Sequence, residues 1–197
     1  MRLTNTQRFF LFGSLFEAGL GLVALVLAQV FRISSAGQWQ GGAAAAAWGT
    51  AAALPVFGYF LWSLRSRLPA LVKIRRVMVD FLGPHLREMR VWQVLVLSVL
   101  AGWGEETLFR GVLQEGLRVW LGTVGACVAA SLAFGAAHWL TRGYAVVTAI
   151  MGAYLGLLYE VHGGLLAPAV CHAVYDFAAL LWLQKELRKP PLATGGG

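Results

Sequence analysis

Apolar residues in this chain come in stretches of about twenty, the length a helix needs to cross the ~30 Å hydrocarbon core of a bilayer. Short polar segments separate them. The pattern predicts six spans, at about 9–30, 43–64, 91–120, 123–140, 144–159 and 165–184. The expected fold class is therefore all-α: a polytopic membrane helix bundle of about six transmembrane helices, forming one transmembrane domain over 1–197. The first apolar run is too long for the core of a secretory signal and has no A-x-A site after it, so it reads as a retained span. The second is rich in Ala and Gly, which suits close helix packing, and Pro55 is expected to kink it.

Between the second and third spans lies the basic stretch 65–90, expected on the cytoplasmic side. Leu68, Leu71, Ile74, Met78 and Phe81 recur there at helical spacing among Arg65, Arg67, Lys73, Arg75 and Arg76. That predicts an amphipathic helix lying in the membrane interface, ended by Gly83-Pro84. The last stretch, from Lys185, is polar and rich in Pro and Gly, and is expected to fray.

Composition agrees with the hydropathy. The chain is 58% hydrophobic and 13% charged, against about 25% charged for a soluble domain. A net charge of +7 could suggest nucleic acid, but the basic residues sit in the segments between spans, as topology signals do, and no nucleic-acid partner is expected. With six spans both ends share one side. That side receives Arg2, Arg8, the basic stretch, Arg142, Lys185, Arg188 and Lys189, against Arg32 and Arg118 opposite. The bias places both termini in the cytoplasm of a multi-pass protein. Cys127 and Cys171 fall in apolar segments and read as buried thiols.

Ionisable groups inside spans change the picture, since each costs roughly 2.5–3.5 kcal/mol at a helix centre. Glu105, Glu106 and Arg110 stand together in the third span, His138 near the end of the fourth, and His172 and Asp176 in the sixth. Glu106 and Arg110 are four apart and share a helix face, so they can pair. Glu105 points elsewhere and is left as the carboxylate able to exchange a proton with water, the role of a general base. A structural ion network is the plain alternative, but it does not account for Glu105. Glu17 reads as facing the bundle or pairing locally. Glu115, Glu160, His85 and His162 read as solvated ends and loops, and Trp39, Trp92, Trp120 and Trp139 as interfacial anchors.

Other chemistries lack their residues. The sequence has no HExxH and no GxSxG. Cys171 and His172 are adjacent and diverge by about 100° on a helix, and Tyr175-Asp176 has no second intramembrane aspartate. A proton channel or transporter would also bury carboxylates, but no internal repeat supports one.

Three motifs then stand in order on successive spans. Glu105-Glu106-Thr107-Leu108-Phe109-Arg110 fits EExxxR, Phe134 to His138 fits FxxxH, and His172 to Asp176 fits HxxxN/D. The set, over a motif-bearing core of about 91–182, resembles the CPBP family (CAAX proteases and bacteriocin-processing enzymes, also called Abi). The resemblance implies an intramembrane glutamic endopeptidase acting on a membrane-associated protein or peptide at the lipid bilayer. A non-catalytic scaffold or immunity protein of the same fold is the alternative. Implied catalytic residues are Glu105 as base, His138 holding the water, and His172 with Asp176 at the oxyanion. Glu106, Arg110 and Phe134 would support them. No cofactor is implied, with zinc the less favoured alternative for such ligand types. Asn is more usual where Asp176 stands, and an ionised Asp cannot donate to an oxyanion. Either Asp176 is protonated or it orients His172. The sequence leaves oligomeric state and substrate identity open. Counted at ~1.5 Å per residue, Glu105 and His172 fall near the bilayer midplane and His138 nearer the cytoplasm. Convergence therefore requires displaced helix ends or tilted spans.

Overall fold

In a computed structural model, which describes residues 3–34 and 36–189, the chain is a bundle of helices, with no strand among the described residues. The tail expected to fray from Lys185 is helical through Leu187, and its residues from 190 onward lie outside the described residues. In order come α1 (Asn5–Val30), a 3-10 turn (Ala36–Trp39), α2 (Gly42–Arg65), α3 (Pro69–Leu86) and α4 (Val91–Glu106). A π-helical segment (Thr107–Gln114), α5 (Glu115–Ala137), α6 (Arg142–His162) and α7 (Leu166–Leu187) follow.

Five helical stretches are long and apolar enough to span a membrane, one of them the 47 residues of Val91–Ala137. A straight helix of that length would be about 70 Å long, more than twice the hydrocarbon core. It is not straight. Gly122 has φ 66 and ψ 175, a conformation open essentially to glycine alone, and the chain folds back there. The Phe109 and Phe134 rings, one on each limb, meet edge to face at 5.0 Å. With five candidate spanning stretches, the third of them reversing at Gly122, this is a multi-pass membrane protein, close to the six spans expected.

The two ends of the bundle are marked by their packing. At one end Leu86, Met89 and Val94 are buried together, with Phe9, Phe10, Leu183 and Leu187 against them. The start of α1, the end of α3, the start of α4 and the end of α7 therefore share one side. At the other end Ala24 and Ala28 of α1 pack with Val112 and Ile33.

The basic stretch is helical, as its periodicity predicts, but it does not stop at Gly83-Pro84. Pro84 lies within α3, which continues to Leu86. His85, expected in a loop, is on its last turn and stacks on Phe9 at 4.4 Å. Arg75 reaches the carbonyl oxygens of Ser63 and Ser66, the latter at 2.9 Å, and ties α3 to the end of α2. Glu115 and Glu160, expected to be solvated, belong to a network instead. Tyr159 donates to Glu115 at 3.0 Å, and Glu160 receives Gln114 at 2.8 Å and Arg118 at 2.7 Å. Cys127 and Cys171 are both free thiols, Cys171 buried.

Candidate active site

The acidic motif sits at the end of α4 because small residues let three backbones converge there. Gly102 faces α7, where an added Cβ would lie 2.6 Å from the Ala169 carbonyl oxygen. Gly104 faces α1, where an added Cβ would overlap the Glu17 carbonyl oxygen. Glycines about half a turn apart, on the two sides of α4, thus bring α1 and α7 to the carboxylates that follow.

Directly after Glu106 the helix widens into the π-helical segment, a feature common at functional sites. The apolar pattern alone predicts one continuous helix here. Gln38 donates from outside to the Gly111 carbonyl of this segment at 3.2 Å, and Gln114 at its end donates to the Gly156 carbonyl of α6 at 3.2 Å. Arg110 lies within the segment. It is 1% exposed, and Glu106 is fully buried. Its guanidinium donates to Glu106 at 3.0 Å and to the Gly152 carbonyl at 2.8 Å, and it lies 4.7 Å over the Phe134 ring.

Glu105 is left out of that pair, as its position on the helix predicts. It is buried, and its Oε2 has no hydrogen-bond partner among the described residues. That oxygen lies 3.6 Å from His138 Nε2 and 4.0 Å from His172 Nε2. Both separations are too long for a direct hydrogen bond.

The other ring nitrogens are committed. His138 Nδ1 is 2.8 Å from the Phe134 carbonyl oxygen. A carbonyl only accepts, so Nδ1 carries the hydrogen and Nε2 of the neutral ring is an acceptor. His172 Nδ1 lies 2.8 Å from Glu106 Oε1 and its Nε2 3.5 Å from Asp176 Oδ2. Held between carboxylates, His172 is suited to act as a double donor. Phe134 is the common wall: its ring is 4.4 Å from the His138 ring and 6.2 Å from the His172 ring.

The depth mismatch is removed by displaced helix ends. Glu105 and His138 lie almost equally far along the chain from the Gly122 reversal, so the two limbs bring them level. The start of α7 is set inward: Leu165 is fully buried, its N–H bonds the Gln38 carbonyl, and it packs beside Gly111. The more open edge of the cluster is formed by His138 and Asp176, whose side chains are 26% and 30% exposed. Nearby, an apolar groove of about 470 Å³ runs between α2, α3 and α6, lined by Tyr59, Trp62, Leu71, Ile74, Val146 and Val147 among others.

Glu17 of α1, expected to face the bundle or pair locally, has a further relation to the site. It lies within electrostatic range of His172, Asp176 and Glu105, with Oε2 buried and unpartnered among the described residues. It is thus a further carboxylate at the cluster, from an element outside the three motifs. The only hint in the sequence is a lone acid in an apolar span. Among the described residues no group of three or more His, Cys, Asp or Glu is arranged to hold a metal ion.

Fold and site together define a multi-pass membrane protein with a buried carboxylate–imidazole cluster. Residues 87–178, which carry all three motifs, match the family model described as Rce1-like, Type II CAAX prenyl endopeptidase Rce1-like. The resemblance seen in the motifs is borne out over this stretch. The chain is also similar to the uncharacterized protein YpbD of Bacillus subtilis (strain 168), with 38% identity over 89 residues, covering 42% of this chain and 41% of that protein. The chain thus spans well under half the length of this curated relative. No solved structure matches.

Proposed function

We propose that the protein is an intramembrane endopeptidase that hydrolyses a peptide bond of a membrane-associated protein or peptide with water activated by Glu105. The observation that carries this reading is the Glu105 Oε2 atom: buried, unpartnered among the described residues, and within 4.0 Å of two imidazole nitrogens from two other helices. The family described for residues 87–178 is one of prenyl endopeptidases and supports the reaction class.

The residues have separable roles in this reading. A water between Glu105 and His138 gives one proton to the Glu105 carboxylate and offers the other to the His138 Nε2 lone pair, and its oxygen attacks the scissile carbonyl. His172, with Nδ1 turned to Glu106, presents Nε2–H to the oxyanion of the tetrahedral intermediate. Collapse breaks the C–N bond as the proton held by Glu105 passes to the leaving nitrogen. Glu106 and Arg110 position His172 and never meet substrate. Asp176 orients His172 from the open edge. No cofactor is needed for these steps. The apolar groove beside α6 suits an apolar segment of the substrate, and the bias of basic residues toward one side supports an orientation with both termini cytoplasmic.

The test compares membranes that carry the wild-type chain with membranes that carry Glu105→Gln, at matched expression, by mapping new protein termini. The expected result is at least one fragment present only with wild type. Identical terminus maps, with a cellular phenotype kept in Glu105→Gln, would mean a scaffold.

A further inference from the structure

An oxyanion in a water-poor site needs hydrogen-bond donors aimed at it, and two are the usual arrangement in acyl transfer. The motif residues supply one. Asp176 as a carboxylate only accepts. His138 has its hydrogen on Nδ1, bonded to Phe134 at 2.8 Å, so its neutral Nε2 accepts as well. Glu106 and Arg110 are bound to each other. That leaves His172 Nε2 alone.

A second donor stands on α6, the helix that carries none of the motifs. Tyr144 is in its first turn, where the Thr141 side chain caps the Tyr144 N–H at 3.1 Å and fixes the start of the helix. The Tyr144 ring is edge-on to the His138 ring at 6.3 Å, with 68° between the planes. It lies within electrostatic range of both Asp176 and Glu105. The other tyrosines of α6 are engaged, Tyr154 with the Ala52 carbonyl at 2.8 Å and Tyr159 with Glu115 at 3.0 Å. The Tyr144 hydroxyl has no hydrogen-bond partner among the described residues, and the residue is half-buried beside His138.

We propose that the Tyr144 hydroxyl is the second oxyanion donor of this site, supplying the O–H that a carboxylate at position 176 cannot. The assignment rests on the hydrolase reading above. A phenol is well suited to the task, since it donates at neutral pH without carrying a charge into the membrane. The hydroxyl, unpartnered in the resting site among the described residues, donates to the carbonyl oxygen as charge develops on it.

The assay follows the fragment that wild-type membranes release and Glu105→Gln membranes do not, using the full chain. Tyr144→Phe is expected to slow its formation about 100-fold with the dependence on substrate level unchanged. The double variant Tyr144→Phe/Asp176→Asn is expected to recover at least tenfold over Tyr144→Phe, because the amide restores a donor in the same place. Tyr154→Phe, whose hydroxyl is committed to the Ala52 carbonyl at 2.8 Å, keeps the wild-type rate. Thermal unfolding in detergent establishes that each variant is folded. Full activity in folded Tyr144→Phe overturns the assignment. So does a slow Tyr144→Phe that Asp176→Asn does not help, since the hydroxyl then acts in some other way. Both outcomes leave the Glu105-dependent hydrolase standing. Equal fragment release by wild type and Glu105→Gln removes the hydrolase reading, and this inference with it.

Discussion

His172 Nδ1 lies 2.8 Å from Glu106 Oε1, the same oxygen that receives Arg110 at 3.0 Å. One carboxylate thus clamps an arginine from its own helical stretch and an imidazole from α7, while its neighbour in sequence, Glu105, is kept out of the clamp. Two adjacent glutamates have opposite consequences when changed.

Glu106→Ala leaves Arg110 charged, buried and unpaired, a situation that costs about 3–5 kcal/mol in comparable buried pairs. A fall in thermal stability in detergent of that order is expected, with loss of activity following from it. Glu105→Gln removes a buried carboxylate that no partner compensates, so its stability is expected to equal or exceed that of wild type while hydrolysis is lost. Equal destabilisation by the two changes would remove the distinction drawn between them.

Gly104→Leu tests how the acidic motif is held. The added side chain overlaps the Glu17 backbone on α1, and overpacking of this kind costs about 1–3 kcal/mol. Gly58→Leu on α2, where an added Cβ meets nothing within 4 Å, is the matched control and is expected to be tolerated. Unfolding midpoints of the two variants check the pair.

Gly122→Ala isolates backbone strain. Nothing lies within 4 Å of an added Cβ at Gly122, so any cost comes from the φ of 66 and ψ of 175, about 1–3 kcal/mol. Gly19→Ala, also in open space but inside α1, is expected to be neutral or stabilising, because glycine in a helix is worse than alanine by roughly 0.5–1 kcal/mol. A stable Gly122→Ala protein would mean that the chain reverses elsewhere.

Phe134→Leu keeps the backbone carbonyl that bonds His138 and removes only the ring against Arg110, Phe109 and His138. Small displacements of catalytic groups cost up to about 100-fold in rate. Fragment formation is expected to slow by about 10- to 100-fold, with Arg110 still paired and the protein folded.

Topology is checked with reporters in a bacterial host. Alkaline phosphatase fused to either terminus is expected to be inactive and green fluorescent protein fused there to fluoresce, whereas phosphatase inserted at Gly122 is expected to be active. Activity at either terminus would reverse the orientation.

The sequence by itself determined what local chemistry controls. Hydropathy marked the spans, including the reversal at Gly122, because burying polar backbone in lipid without internal hydrogen bonds is prohibitive. The four-residue spacing of Glu106 and Arg110 separated the paired carboxylate from Glu105, because helix geometry acts over one turn. Which groups share a cavity depends on the packed bundle. It levelled His138 with Glu105 across a hairpin and set Leu165 inward under Gln38. It turned the helix after Glu106 into a π segment, and it brought Glu17 and Tyr144 to a cluster whose motifs contain neither. Those relations depend on how closely two backbones approach and at what register. A glycine such as Gly104 permits the approach, but the neighbour that makes it, here α1, is chosen by the packing of the whole bundle.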